Sequence, residues 1–246
     1  MSTPTEDAIT EIGAAAPLAA APRESSVLRI SLRTATILLA FTVVFTALMA
    51  ATYRATQPYL LASAQQEKLR SIGEVLPPGD YDYDNDLMAD AVVLPPQAAL
   101  GLEEDSHVWR ARRQGQPVAV VFEAVAPNGY SGAIRLILAV SADGKLLALR
   151  VTQHRETPGL GDYIDPRKDR NKARPWITQF NRLGFDEAPS TQWKVKKDGG
   201  RFDQMSGATI SARAVTQASG KALAWALRHR AVLFEQPAKT RLEIKE

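Results

Sequence analysis

An apolar run without charge or proline constrains this chain more than any other feature. It extends from Thr34 to Tyr53, and its 20 residues, at a rise of ~1.5 Å per residue, match the ~30 Å hydrocarbon core of a bilayer. Arg33 and Arg54 flank it. A cleaved signal peptide is the alternative, but such peptides have a shorter apolar core that lies closer to the N-terminus. We therefore predict one retained transmembrane helix over residues 30–55.

The orientation of this helix depends on the basic residues on its two sides. Three of them lie close before the span and three lie more sparsely after it: Arg23, Arg29 and Arg33, then Arg54, Lys68 and Arg70. Cytoplasmic flanks carry an excess of Lys and Arg, so we predict a cytoplasmic N-terminus. Residues 55–246 are then expected outside the cytoplasm.

Composition excludes several functions. The chain has 45% hydrophobic and 23% charged residues, which is enough apolar content to bury a core. It has no cysteine, so disulfides, thiolate metal sites, iron–sulfur clusters held by this chain and a cysteine nucleophile are excluded. Three scattered histidines predict no metal site. A net charge of +3 gives no support for nucleic acid as a partner.

The chain on either side of the span divides by composition. The first residues are rich in Ala, Ser, Thr and Pro, which is typical of a disordered tail. A helix is predicted from Gln57 to Val75, where Pro77-Pro78-Gly79 stops it. The predicted segments are a disordered cytoplasmic tail at 1–29, the transmembrane helix at 30–55, a juxtamembrane helix and linker at 56–100, a globular domain at 101–234 and a C-terminal tail at 235–246.

The globular segment mixes strand and helix signals. Ser141-Ala142-Asp143-Gly144 is a typical hairpin turn between two of the strands. Hairpins interspersed with helices, without repeated βαβ units, favour an α+β domain built on an antiparallel sheet. Strands are predicted at Val108–Arg112, Val118–Ala126, Ala133–Val140, Leu146–Gln153 and Gln192–Lys197, and helices at Pro175–Leu183 and Ser211–Phe234.

Two charged stretches carry no specific chemical pattern. The five acids between Asp80 and Asp90 are interpreted as a solvated loop, because the glycine and ligand spacing of an EF-hand are missing. The basic stretch Pro166–Arg174 is also typical of a solvated loop, and docking to an acidic partner or to lipid headgroups is the alternative. It contains no interleaved aromatic residues for stacking on nucleic acid.

The segment before the last predicted helix carries a chemical signal. Asp203-Gln204-Met205-Ser206-Gly207-Ala208-Thr209 runs directly into that helix. Unpaired amides and the positive end of the dipole make a helix N-terminus a natural phosphate site. Gly207 and Ala208 allow a close approach of the backbone. Thr209 as an ordinary N-cap is the alternative.

A second signal directly follows the predicted hairpin. The segment Glu156-Thr157-Pro158-Gly159-Leu160-Gly161-Asp162 contains two glycines and a proline within four residues. Its amides can approach a flat ligand, and Leu160 can contact the face of that ligand. The alternative is a turn that only connects two elements.

Together, the two segments resemble the G subunit of the Rnf electron transport complex, an FMN-binding family. The family's loop looks like ETPGLGD, present at Glu156–Asp162, and its flavin acceptor looks like DGGxFDQxSGAT, present at Asp198–Thr209. Both lie in the family's order and separation, and the resemblance extends from the span to about Arg230. The related C subunit of the sodium-pumping NADH:quinone reductase carries a similar acceptor. Tyr163 departs from the family's pattern, in which a lysine is common there.

The resemblance implies a covalent flavoprotein whose globular segment is an FMN-binding domain. A flavin transferase would move FMN from FAD onto Thr209 and join it through a phosphoester bond. No catalytic pair and no metal site are expected. The residues implied in transferase recognition are Asp203, Ser206, Gly207 and Ala208, and those implied in cofactor binding are Glu156, Thr157, Pro158, Gly159, Leu160, Gly161, Ser206, Gly207 and Ala208.

The function implied by the resemblance is electron transfer in a membrane complex that couples ferredoxin and NAD to ion movement. This chain would carry electrons within the complex and would not act alone on a soluble substrate. The expected partners are the other subunits, the flavin transferase and the lipid bilayer. Two alternatives stand beside this hypothesis: a membrane-anchored extracytoplasmic binding or scaffold protein without covalent flavin, and a cofactor-free sensor domain.

Overall fold

The computed structural model describes residues 24–77, 79 and 81–244. The chain divides into two compact units, residues 1–61 and 62–246. Most of the predicted N-terminal tail, residues 1–23, lies outside the described residues, as does Pro78 in the predicted helix stop.

A single helix, α1 (Glu24–Val75), contains both the predicted span and the predicted juxtamembrane helix. Within the span, the hydroxyls of Thr36 and Thr42 donate to the carbonyls four residues earlier at 2.8 and 2.9 Å, so they are satisfied inside the helix. In the described part of the chain, α1 is the one helix long and apolar enough to cross a membrane, and its apolar window is not buried in the protein. The predicted N-terminal apolar helix is therefore confirmed by length and composition.

The second unit is built on a five-stranded antiparallel sheet in which each strand pairs with the next along the chain. The strands are β1 (Val92–Leu94), β2 (Ser106–Arg113), β3 (Gln116–Gly129), β4 (Gly132–Ser141) and β5 (Leu146–Gln153). Gln114 and Gly115 connect β2 to β3 with φ of 49° and 78°, the positive values that suit a tight hairpin between twisted strands. The predicted turn between β4 and β5 is present, and the α+β antiparallel fold is confirmed.

Alternating side chains give the sheet two faces, and each face has its own apolar core. Helices α2 (Thr209–Arg228) and α3 (Arg230–Glu235) belong to the core on the first face, where Phe122 and Trp225 pack with ring centroids 5.3 Å apart. The last turn of α1 supplies Ile72 to the core on the second face. The sheet therefore lies between two layers within residues 62–246.

Three predicted elements differ from the structure. The strand predicted at Gln192–Lys197 is wrong, because the chain there forms short 3₁₀ helices at Ser190–Gln192 and Lys196–Asp198. The helix predicted at Pro175–Leu183 is a 3₁₀ helix limited to Trp176–Phe180. The last predicted helix is interrupted at His229 and forms α2 and α3.

The acidic stretch after α1 binds the sheet and is not simply solvated. Asp90 pairs with Arg110 and also with Arg112, whose Nε lies 2.7 Å from its carboxylate. Asp84 accepts a hydrogen bond from the backbone of Gln114 at 2.9 Å. Arg110 is 1% exposed, and a buried guanidinium needs a carboxylate partner. The acids therefore have a structural role that the sequence pattern did not indicate.

The C-terminal segment also contacts the sheet. Thr240 accepts a hydrogen bond from the Val93 amide at 2.9 Å, and the Leu242 amide donates to Val93 at 2.8 Å. Part of the range predicted as a tail thus lies beside β1, in the same compact unit as the last turns of α1.

Candidate functional site

The two segments singled out in the sequence meet at one cavity of about 240 Å³, although some forty residues separate them. Pro158, Gly159, Asp203 and Ser206 do not line this cavity, and Thr209 lies between two residues that do. The lining residues are Tyr130, Glu156, Thr157, Leu160, Gly161, Gly207, Ala208, Ile210 and Ser211.

The exposed large apolar side chains of the second unit lie around this cavity. Beyond α1, the described residues include three exposed large hydrophobic side chains, those of Tyr130, Leu160 and Ile210. All three line this cavity. Exposed apolar side chains that cluster at one cavity are typical of a binding site.

A buried carboxylate connects the three segments around the cavity. Glu156 is 4% exposed and accepts hydrogen bonds from the Ser131 amide at 3.1 Å and from the Ser211 hydroxyl. Gly161 packs against this pair, since a Cβ at Gly161 would lie 2.6 Å from Ser211 Oγ. Glu156 therefore fixes the β3–β4 turn, the loop after β5 and the first turn of α2 relative to one another.

Thr209 is the first residue of α2 and not its cap. The N-cap position belongs to Ala208, which forms no side-chain capping bond. The amides of the first helical turn have no partner within the helix, so they remain available to an anion, and the helix dipole favours negative charge there. Thr209 is a half-buried residue at this point, whereas Ser211 is 1% exposed and donates to Glu156.

Three side chains hold the turn that precedes Thr209. The Tyr163 hydroxyl accepts a hydrogen bond from the Met205 amide at 3.1 Å and donates to the Ala208 carbonyl at 3.2 Å. Burial raises the pKa of Tyr163 to about 12, so the hydroxyl stays protonated and able to donate. The Trp176 indole donates to the Asp203 carbonyl at 2.6 Å, and Gln179 accepts from the Asp203 amide at 2.8 Å.

The first half of the predicted acceptor motif is structural. Asp198 forms a paired hydrogen bond with Arg213 of α2, and this bond lowers the pKa of Asp198. A Cβ at Gly200 would lie 2.1 Å from the Lys194 carbonyl oxygen, so only glycine fits there. Phe202 stacks on Phe180 in the core with centroids 4.6 Å apart. These residues anchor the turn to α2 and the core.

The second half of the motif is open to solvent. Ser206 and Gly207 are exposed, and the Asp203 side chain is exposed beside Lys196, with 2.5 Å between the charged atoms. Gly207 has a φ of 84° and no atom within 4 Å of a Cβ built on it. This part of the turn next to Thr209 is therefore accessible to solvent.

Sequence reasoning missed several residues of this site. Tyr130 and Ile210 supply most of the apolar surface beside Leu160, and Tyr163 holds the turn. Ile210 directly follows the predicted acceptor motif, which was the available signal for it, whereas Tyr130 lies between β3 and β4, far from both motifs in the sequence. No groups of three or more His, Asp or Glu that could hold a metal occur within the described ranges.

An open apolar surface next to an uncapped helix N-terminus suits a flat ligand that carries a phosphate, and the comparisons agree. Residues 129–224 match the FMN-binding domain family, and residues 26–75 match the RnfG N-terminal region. The fold and the site therefore define a membrane-associated protein with an FMN-binding domain.

Similar proteins identify the particular family. The chain is 44% identical to the G subunit of the ion-translocating oxidoreductase complex of Pseudoalteromonas atlantica, over 74% of this chain and 81% of that protein. It is 39% identical to the G subunit of Vibrio cholerae over 82% and 92% of the two chains, and 40% identical to that of Pseudomonas aeruginosa over 79% and 88%. The chain belongs to the family formed by the G subunits of ion-translocating oxidoreductase complexes.

Proposed function

We propose that this chain is an electron-carrying subunit of a membrane-bound, Rnf-type ion-translocating oxidoreductase, with FMN joined to Thr209 by a phosphoester bond. The observation that carries the proposal is the position of Thr209. Thr209 is the first residue of a helix without a side-chain cap, and both its neighbours in the chain line the cavity where the exposed large apolar side chains of the domain lie.

Different groups around Thr209 bind the phosphate and the ring of FMN. The free amides of the first turn of α2 hold the phosphate oxygens, and the helix dipole stabilises their charge. Leu160 and Ile210 offer apolar contact to the ring. Glu156 positions both sides of the cavity through Ser131 and Ser211. When bound, FMN supplies one- and two-electron transfer, so the protein needs no acid–base pair of its own.

A covalent bond has a physical rationale on the periplasmic side that we propose for this domain. A dissociated flavin would be diluted there, whereas a tether keeps its effective concentration at the site high. The proposed partners are the other subunits of the complex, which move electrons between ferredoxin and NAD, and the lipid bilayer of the inner membrane. This chain carries electrons within that assembly and is not catalytic alone.

The flavin transferase is proposed to recognise the exposed turn. Asp203, Ser206 and Gly207 are accessible, and Ala208 leads the chain into α2. Trp176, Gln179 and Tyr163 hold this turn from the protein side, so the transferase meets an ordered substrate.

The deciding experiment compares three full-length variants with the parent, all expressed beside an active flavin transferase. The parent should gain the mass of one FMN and show flavin fluorescence on the denatured band. Ser211→Ala keeps Thr209 and should still attach FMN, but more slowly, because the bond between Ser211 and the positioning carboxylate of Glu156 is lost. Thr209→Ala should gain neither the mass nor the fluorescence, and Thr209→Ser should retain some attachment. If Thr209→Ala carries flavin through denaturation, or the parent never acquires it, the chain is a scaffold or sensor protein instead.

A further inference from the structure

A second cavity, of about 480 Å³, lies on the face of the sheet opposite α2. The end of α1 and strands β3, β4 and β5 enclose it, and all its lining residues fall within 62–246. It shares no residue with the cavity beside Thr209. Its volume is within the range of small-molecule sites.

Charge, rather than apolar surface, characterises this cavity. Ile137 of β4 lies at the end of the apolar core on this face. It pairs with Glu123 of β3 on one side and with Arg150 of β5 on the other. Five basic residues line the cavity: Lys68, Arg70, Arg135, Arg150 and Arg167. Three acidic residues accompany them: Glu67, Glu74 and Glu123.

The ion pairs among the described residues leave Arg135, Arg150 and Glu67 of this lining unpaired. Lys68 pairs with Glu123 at 2.5 Å, Arg70 lies 3.9 Å from Glu74, and Arg167 pairs with Asp165 at 2.9 Å. Arg135 and Arg150 have no carboxylate within 4.0 Å in the part of the chain that the structure describes.

Arg150 carries part of this positive charge in a partly desolvated position. It is half-buried, and among the described residues its guanidinium donates to the carbonyl of its neighbour Leu149, at 2.7 Å. Desolvation by burial lowers its pKa, and the charge of Glu74 acts in the opposite direction. A partly desolvated charge is more favourable when an opposite charge lies close to it. A bound anion would supply that charge.

We propose that this cavity binds a phosphate ester through Arg135 and Arg150. A guanidinium presents paired N–H donors that match the oxygens of a phosphate, and the hydroxyls of Ser71 and Thr152 also line the cavity. The volume exceeds what a bare phosphate needs, so the ligand carries an organic part. A soluble phosphate ester and a phospholipid headgroup share this chemistry.

The test uses the full-length chain in phosphatidylcholine nanodiscs and measures its thermal midpoint. One arm adds glycerol 3-phosphate against sodium chloride of equal ionic strength, and the other replaces part of the phosphatidylcholine with phosphatidylglycerol. At least one arm should raise the midpoint of the parent. A response in the first arm alone identifies a soluble ester, and a response in the second alone identifies a headgroup.

Two variants make the test specific. Arg150→Gln should weaken the apparent affinity about tenfold or more, since a charge-assisted hydrogen bond is lost. Without ligand it should be no less stable than the parent, because its guanidinium has no carboxylate partner. Arg228→Gln, which removes an exposed charge at the end of α2, should respond like the parent. The same measurement on Arg135→Gln tests the second proposed arginine, which lies at an exposed position of β4.

Three results overturn the proposal. The first is a parent that responds in neither arm. The second is an equal response from the parent and Arg150→Gln, which shows a general effect of the solute or the membrane charge. The third is an Arg150→Gln variant that is less stable than the parent before any ligand is added, which makes this arginine structural.

Discussion

The structure shows a role for Tyr163, which stands where the family resemblance predicts a lysine. Its hydroxyl bridges the Met205 amide and the Ala208 carbonyl, the two ends of the turn that precedes Thr209. Since the hydroxyl stays protonated up to a pKa of about 12, this bridge persists across the working pH range. Tyr163 is therefore a positioning residue for the proposed acceptor.

Tyr163→Phe should slow the attachment of FMN and destabilise the domain by about 1–3 kcal/mol, because the buried carbonyl of Ala208 and the partly buried amide of Met205 lose their partner. The time course of the FMN mass increase beside the transferase measures the first effect, and denaturant unfolding measures the second. Tyr130→Phe is the matched control, because Tyr130 is exposed and contributes its ring to the cavity. An unchanged time course in a destabilised Tyr163→Phe would limit Tyr163 to a structural role.

For single residues, the sequence could predict only roles that depend on neighbouring residues in the chain. The segments around Thr209 and Leu160 were singled out by short local patterns, and the predicted role of Thr209 as the acceptor came from the family resemblance. Whether Thr209 caps the helix could not be decided, since that depends on the backbone angles of Ala208. The role of Tyr163 was missed because its bond to Met205 joins residues 42 positions apart, a contact that exists only after folding.

The loop after β5 and the first turn of α2 form the element pair on which the cavity depends. A methyl group at Gly161 would lie 2.6 Å from Ser211 Oγ and 2.8 Å from Glu156 Oε2. We expect Gly161→Ala to push the loop away from α2, at a cost of about 1–3 kcal/mol, and to change the absorbance of bound flavin.

Gly159→Ala is the comparison variant in the same loop. Gly159 has a φ of 75°, and a Cβ there would meet only Arg170 Nη2, at 3.9 Å. Its expected cost is the left-handed backbone strain of about 1–2 kcal/mol, with a smaller spectral change. If both variants leave the flavin spectrum unaltered, this loop does not contact the ring.

Strand β2 connects the acidic stretch after α1 to the end of α3. Arg110 pairs with Asp90 and donates to the Gln236 carbonyl at 2.5 Å. Arg110→Ala should cost about 3–5 kcal/mol, because Asp90 loses a partner in a partly buried site. Arg113→Ala, on the same strand, breaks an exposed pair with Asp82 and should cost less than about 1 kcal/mol. Urea unfolding of both variants measures the difference, and equal losses would contradict this role of Arg110.

Elements were predictable where periodicity and turn chemistry agree. Strand β5 was predicted with the bounds that the structure shows, since a hairpin turn fixes its start. The segment Gln192–Lys197 has the same alternation, with Trp193 and Val195 buried. However, the chain turns back at Gly199 and Gly200, so Val195 forms one isolated bridge to Phe202 and no ladder. Alternation indicates which side chains are buried, but a strand also requires a partner in register.

Over the whole molecule, residues 62–246 use the two faces of one sheet for different purposes. Helix α2 on the first face presents its N-terminus to the cavity beside Thr209, and the second face carries the apolar core that α1 completes and the charged cavity next to it. Because the two cavities share no residue, variants in one should leave the other intact. Arg150→Gln should thus acquire FMN at the rate of the parent.

The orientation of the chain in the membrane is the prediction on which the proposed periplasmic flavin depends. Arg29 and Arg33 lie immediately before the apolar run, whereas Arg54 is followed by no basic residue until Lys68; positive charge near a span favours the cytoplasmic side. A C-terminal alkaline phosphatase fusion to the full-length chain should therefore be active, and a green fluorescent protein fusion should be dark. Replacing both Arg29 and Arg33 with Gln should reduce the phosphatase activity per fusion molecule, because the charge bias then weakens. A fluorescent C-terminal fusion with inactive phosphatase would place the domain in the cytoplasm and would remove the dilution argument for a covalent flavin.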